Sequence, residues 1–538
     1  MSAIHHDAGR TKERPGRIRL GVDFGVTATV IAVSENGAMP TTIAFPGVSR
    51  EFPAPSKEAP VHIIPSVIEY HQGRQLRLGN EVLASGTPDS PATARWFRRY
   101  LCGRSPVLIP AGDGHLVRYE VATADFLLPL LVRALQVYPE AELVFSVPPD
   151  TPGEYEDLLR RIAASAGARS TSTIREPAAA LAGYGCLPGD DEPVLMVTFS
   201  EAELEVSVLA GPPHDGGGQR ILAQAQGSCS CSAVDGWIAR DLLHAFRLME
   251  SDPRAIRLMP QIRTLAALLR EHAPGLPVQE IRLCDPLSKK TFSAVFTPDD
   301  LHRILEEHDT ANCIHDCLDR ALSAIRIHGA VPGDIRHVIL LGEGCAIPRV
   351  QEIIRARFPG ARQYDDHVVD AVARGAACHE TKGYQQDRIT RSYALRYWNE
   401  SSREHQYRYL VHGGTPYPSA GQVARVVISA AYDGQTHLGI PLYEVGSEEN
   451  GVDIEFVTDH GGGVRLAGPG KDADSKKQAV FVNERSPTLL VATPPARKDE
   501  PRFECTFTID EGRNLCLSAR DLITGKLVKL NVPVYRMN

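Results

Sequence analysis

Residues 18–33 read IRLGVDFGVTATVIAV, two β-rich runs about a glycine-bearing turn, with Glu35-Asn36-Gly37 closing the second. A hairpin of this kind opens a domain and needs further strands beside it. LVFSV at 143–147 is a buried-strand candidate, and Pro148-Pro149-Asp150 stops it before a helix. Asp150 is placed to cap that helix and Pro152 fits its first turn, while Tyr155, Leu158, Leu159, Ile162, Ala163 and Ala166 recur on one helical face. VLMVTF at 194–199 continues after a short polar interruption into LEVSVLAG, repeating the opening hairpin. HVILLG at 337–342 and a helix from Pro348 extend the alternation, predicting an α/β domain that ends near Glu380.

Beyond Lys382 the pattern becomes all-β, with alternating apolar residues and turn-forming Gly and Pro. FECTFTI sets Phe503, Cys505, Phe507 and Ile509 on one face. LCLSA does the same for Leu515, Leu517 and Ala519, so the two runs pair as a hairpin across the turn at 510–514. HGGGVRLAGPG at 460–470 has too little β-forming content for a strand and reads as a glycine loop; without Lys-Ser/Thr or a helix after it, it lacks the parts of a phosphate cradle.

At 538 residues the chain is long enough for two to four folded units. Lys plus Arg number 58 against 66 Asp plus Glu, a net charge of −8 that offers no broad basic surface for nucleic acid. No apolar run reaches the ~18–20 residues that cross a bilayer, and the first sixteen residues, a polar tail, lack the apolar stretch of a signal peptide. A cytoplasmic location follows as the expectation. Eleven scattered cysteines fit reduced thiols better than a disulfide framework. The pairs Cys229/Cys231 and Cys313/Cys317 have no second half at zinc-site spacing.

Six motifs occur in an order that resembles the 70-kDa heat-shock protein chaperones, of which the bacterial DnaK type is one branch. GVDFGVTAT (21–29) resembles the first phosphate hairpin, IIPSVIEY (63–70) the segment after the early strands, and SPATARWFRRYLCG (90–103) the segment bearing the catalytic lysine. STIREPAAALAGYG (172–185) resembles the helix start whose Glu helps position Mg²⁺. VILLGEGCAIPRVQEII (338–354) resembles the adenosine motif and VVDAVARGAA (368–377) the closing helix. The resemblance implies an actin-like nucleotide-binding domain of two similar, ribonuclease-H-like lobes over 17–382, a linker at 383–391, and an all-β sandwich for peptide binding over 392–538. It implies ATP or ADP with Mg²⁺ as cofactor.

The chemistry of such a site is general. Two hairpins clasp a triphosphate through backbone amides, carboxylates hold the metal through water, and a cation meets the terminal phosphate. Carried over by resemblance, the first hairpin keeps Asp23, Gly25 and Thr27 but has Val26 where the family has a threonine. The lysine position falls on Arg99, a wider planar donor. Asp23 and Glu176 are the candidate Mg²⁺ ligands, with Arg99 and Glu176 the candidate catalytic pair. The second hairpin departs most: TFSEAE (198–203) stands where the family has an Asp and three glycines, giving Thr198, Ser200, Glu201 and Ala202. Like charges 4 Å apart at an effective dielectric of ~20 repel by ~4 kcal/mol, worth ~10³-fold in affinity, so Glu201 opposes a triphosphate. On the adenosine side the family's paired glycines align with Gly342 and Glu343. The base-clamping helix aligns with IRTLAALLREHAPG, whose Arg270 is either a stacking group or a solvated arginine on an amphipathic helix.

In the β half, Ile428, Leu438 and Ile440 align with the family's peptide pocket, and Tyr393, Leu395 and Tyr397 are candidates for the same groove; inward-facing core positions are the alternative reading. The linker GYQQDRITR holds one apolar residue, Ile389, and the co-chaperone-contacting arginine aligns with Ser172. Linker docking and a conventional J-domain partner are therefore not expected, and the chain stops near the end of the β half, leaving no room for a helical lid. The expected function is chaperone-like binding of extended or unfolded peptides with a degenerate ATP site. Two alternatives stand beside it: a pseudo-ATPase adaptor docked on another protein, such as an active chaperone, and a working ATPase in which Glu201 or Glu205 replaces the missing Asp.

Overall fold

The run at 18–24 is buried along most of its length, as a strand hydrogen-bonded on both sides must be. In the computed structural model the Ile18–Phe24 strand pairs antiparallel with Ala28–Glu35 and parallel with Glu142–Val147. Asn36 and Gly37 turn the chain at φ 56° and 76°, a left-handed pair that Asn and Gly supply with least strain. The structure describes the chain apart from residues 1–16, 54–59, 72–75, 89, 104, 112–113, 150, 152, 190–191, 212–219, 273–277, 379–388, 390, 400–403, 414, 416, 420, 446–454, 459–463, 468–478, 484–487, 511 and 538. Asp150 and Pro152, read as the helix cap and first turn, therefore lie outside the described residues; the helix itself is Gly153–Ser165.

The chain divides into two compact units, 1–149 with 154–384, and 385–538 with 150–153. The first unit holds two sheets built on one plan. In the first, Val61–Pro65, Ala28–Glu35, Ile18–Phe24, Glu142–Val147 and Thr171–Arg175 lie side by side. In the second, the order is Arg220–Gly227, Leu204–Ala210, Pro193–Phe199, His337–Leu341 and Arg362–Tyr364. Each has a central antiparallel hairpin, and each adds two parallel strands on the hairpin's first strand. The match extends to the tips: the last paired residues are Phe24 with Thr29 in one hairpin and Phe199 with Leu204 in the other.

Small residues set how the elements between the sheets meet. The Glu176–Gly183 helix, EPAAALAG, lies against Ala371–Cys378, AVARGAAC, with no room for larger side chains. A Cβ on Gly375 would stand 1.7 Å from the Ala179 carbonyl oxygen, and one on Gly183 would stand 1.9 Å from that of Ala371. Gly21 of the central strand approaches Ala373 in the same way, at 2.1 Å. Among the described residues no helix is long and apolar enough to cross a membrane.

The described elements of the second unit are strands. One sheet orders Glu404–Val411, Ser392–Asn399, Leu442–Val445 and Ala479–Phe481; another orders Ala424–Ser429, Pro501–Ile509, Asn514–Asp521 and Leu527–Arg536. Tyr393 and Leu442 of the first share one core with Phe503, Cys505, Phe507, Leu515 and Leu517 of the second. The hairpin read at 503–519 forms with Ile509 opposite Leu515. The glycine-loop reading at 460–470 is corrected in part, because Val464–Ala467 pairs as a strand with Glu455–Thr458. Ile389 is buried in this core and its amide donates to the Thr415 carbonyl at 2.8 Å. Most of the segment read as a linker lies outside the described residues.

Candidate functional site

The tips of the two hairpins border one cleft of about 560 Å³, lined among others by Val26, Thr27, Arg50, Trp96, Glu201, Asp235, Arg270, Glu271 and Glu343. The first tip is clamped by buried Ser66: its amide donates to the Thr27 carbonyl at 2.7 Å and its hydroxyl to that of Gly25 at 3.0 Å. Gly25 permits the tight reversal, since a Cβ there would meet the Ala28 carbonyl oxygen at 2.4 Å. The second tip closes on itself, with the Ser200 amide donating to the Glu203 carbonyl at 3.0 Å. Its outward carbonyls are taken as well, because the first amides of the Cys231–Ala245 helix, Cys231 and Ser232, donate to Ser200 O at 2.9 Å and Glu201 O at 3.2 Å. A helix start that would suit an anion is thereby spent on the hairpin. Gly342, at φ +85°, is where the chain passes the tip of this hairpin, and a Cβ there would meet the Phe199 carbonyl oxygen at 2.4 Å.

Three contacts cross the cleft. The Thr27 hydroxyl donates to Glu343 Oε1 at 3.3 Å, and the Trp96 indole N–H to Glu201 Oε1 at 3.4 Å. Arg50 grips Glu271 with two bonds, Nη1 to Oε2 at 2.6 Å and Nη2 to Oε1 at 2.9 Å, the bidentate form of the strong arginine–carboxylate pair. Arg270 is buried, ion-paired to Asp235 at 2.7 Å and lines the cleft, so it is not a solvated arginine. Ala267 of the same helix lines the cleft, and Gly275 lies outside the described residues.

Burial shifts several of the carboxyls here upward. Burial, followed by the charge of Glu343, raises Glu201, and burial is also the main cause for Glu343, Asp235, Glu203 and Glu205. Asp23 is pushed up to about 7 by burial and then by the charge of Glu176, against the Ser146 hydroxyl that donates to it at 2.8 Å. Arg98, not Arg99, forms the ion pair with Glu176; Arg99 is exposed. Both arginines lie on the Phe97–Cys102 helix, directly after the buried Phe97. Glu176 is engaged by the Arg98 guanidinium and Asp23 accepts from the Ser146 hydroxyl, so both candidate Mg²⁺ ligands have protein partners. Among the described residues no group of three His, Cys, Asp or Glu is placed to hold a metal ion. Thr198 lies in register with Glu205, whose carboxylate accepts from Ser207 at 2.9 Å.

Four of the six peptide candidates of the other unit are buried in its core. Tyr393, Leu395, Leu438 and Ile440 are buried, Ile428 packs partly buried against them, and Tyr397 is exposed.

Sequence reasoning reached the two tips and Glu343 but missed Trp96, Arg50, Asp235 and Glu271. Trp96 was within a quoted motif, and a left-handed tryptophan (φ 58°) before a helix is a local anomaly that only structure exposes. Arg50 and Glu271 are 221 residues apart, and nothing local pairs them.

No protein-family profile matches the chain. It is 24% identical over 392 residues, 66% of its length, to the chaperone protein DnaK of Deinococcus proteolyticus. The chain spans 58% of the length of that relative. This similarity supports a relationship between the chain and the 70-kDa heat-shock protein family.

Proposed function

We propose that this is a chaperone-like protein that binds extended or unfolded peptide segments and whose actin-like pair of lobes has given up ATP hydrolysis. The carrying observation is that two cleft carboxylates, Glu201 and Glu343, accept hydrogen bonds from Trp96 and Thr27 in the space between the hairpin tips. Side chains and their charge then stand where a triphosphate needs bare amides. The Ser200–Glu203 turn and the spent helix start support the same reading.

Peptide binding rests on the relationship to a chaperone and on the β-sandwich plan of the second unit. Because Leu438 and Ile440 are in the core, the contact would fall on backbone along a strand edge and on exposed side chains. Leu489 and Val491, exposed on the Thr488–Ala496 strand whose Leu490 faces inward, are the apolar groups it presents.

Isothermal titration of the full chain with ATP and Mg²⁺ tests the nucleotide half, with the expectation of weak or no binding and no turnover. Submicromolar affinity with steady turnover would instead favour an ATPase with a rebuilt site. Fluorescence anisotropy with a labelled apolar peptide tests the other half: binding is expected, weakened by Val491→Asp, and a flat titration would refute it.

A further inference from the structure

Three cysteines gather away from the cleft. Cys313 lies in the first turns of the Thr310–Ala324 helix with Cys317 one turn on, and Cys229 lies just before the Ser230 cap of the Cys231–Ala245 helix. The Cys229 amide donates to Cys313 Sγ at 3.2 Å, and the Ser228 hydroxyl is 3.6 Å from the same sulfur. Cys229 is buried, whereas Cys313 is partly exposed and meets solvent first.

We propose that Cys229 and Cys313 form an oxidisable dithiol that a hydroperoxide, hydrogen peroxide being the simplest, converts to a disulfide. The steps balance without any other reagent. Cys313 sulfur attacks the peroxide; the O–O bond breaks, the sulfur becomes a sulfenic acid by losing two electrons, and one water leaves. Cys229 sulfur then attacks the sulfenic sulfur; the S–S bond forms as the S–O bond breaks, and the hydroxyl leaves as water with the Cys229 proton. The order follows access, since only the exposed sulfur meets the oxidant and the buried one is placed to resolve it. The bridge would join two segments 84 residues apart and fix the helix start whose amides hold the Ser200 and Glu201 carbonyls.

The full chain treated with hydrogen peroxide, digested without reductant and read by mass spectrometry should yield a peptide pair joined at Cys229 and Cys313. Cys317→Ser should keep that link, and Cys229→Ser should leave a sulfenic acid at Cys313 that dimedone traps. Amide exchange at Cys231 and Ser232 should slow several-fold on oxidation, and not in Cys313→Ser. A link from Cys313 to Cys317, or oxidation confined to exposed Cys284 with no link, would overturn the proposal.

Discussion

Thr27 of the first hairpin donates its hydroxyl to Glu343 Oε1, 3.3 Å away on the opposite side of the cleft. The bond closes a space that, between hairpins presenting only amides, would stay open for an anion. Glu201 is tied across the same space by Trp96. Neither carboxylate forms an ion pair among the described residues, so each is offset by the hydrogen bond that it accepts and by arginines beyond ion-pair distance.

Removing one of these charges should therefore help a polyanion. Glu201→Ala is expected to tighten ATP–Mg²⁺ binding by about tenfold or more, the scale of one like-charge repulsion in a partly solvated site. Titration calorimetry of parent and variant measures it. Loss of a pre-existing turnover in this variant would mean that Glu201 is a working catalytic group.

Asp23 makes the folded protein pH-sensitive in a definite direction. Its carboxyl is raised to about 7 by burial and Glu176, while in the unfolded chain an aspartate titrates near ~3.9. The folded state thus binds the proton more tightly. Stability from this group is intact in acid and is lost as pH rises through about 7. Asp23→Asn should leave stability unchanged near pH 4 and gain about 2 kcal/mol over the parent by pH 8. Urea unfolding at a series of pH values reads the difference, and a gap that does not widen with pH would contradict it.

The glycine contact between the two central helices is expected to be intolerant. Gly375→Val places atoms on the Ala179 carbonyl, and overpacking against backbone costs about 3 kcal/mol or more. Gly360→Ala, with open space around it, should change stability by less than about 0.5 kcal/mol. Paired denaturation curves compare them.

In the β-rich unit Arg502 and Asp521 form a buried ion pair at 2.8 Å. Burial pushes the Asp521 carboxyl up, but the Arg502 hydrogen bond and the Thr524 and Ile523 amides outweigh it and hold it below the usual range. Asp521→Ala strands a buried guanidinium and should cost about 3–5 kcal/mol, whereas the double change Arg502→Met, Asp521→Leu should cost far less. Near-ultraviolet circular dichroism during unfolding distinguishes the two.

Local patterning carried much of this into the sequence. The hairpins at 18–35 and 193–210 could be read because central strands are continuously apolar, and the change of character near residue 382 falls close to the division of the chain after Tyr384. What escaped was set by distance or by one step of helix. Arg98 and Arg99 are chemically identical neighbours, and it is Arg98 that reaches Glu176. Leu438 and Ile440 have the spacing of a groove and of a core alike, and both are buried. The pairs that cross the cleft, Arg50 with Glu271 and Trp96 with Glu201, join residues 221 and 105 positions apart.

A crystal of the full chain soaked with a non-hydrolysable ATP analogue and Mg²⁺ puts the central claim to its plainest test. Density should show Glu343 on Thr27 and Glu201 on Trp96, with no triphosphate between the hairpin tips. A triphosphate and its metal seated there, with both carboxylates swung away, would contradict the account.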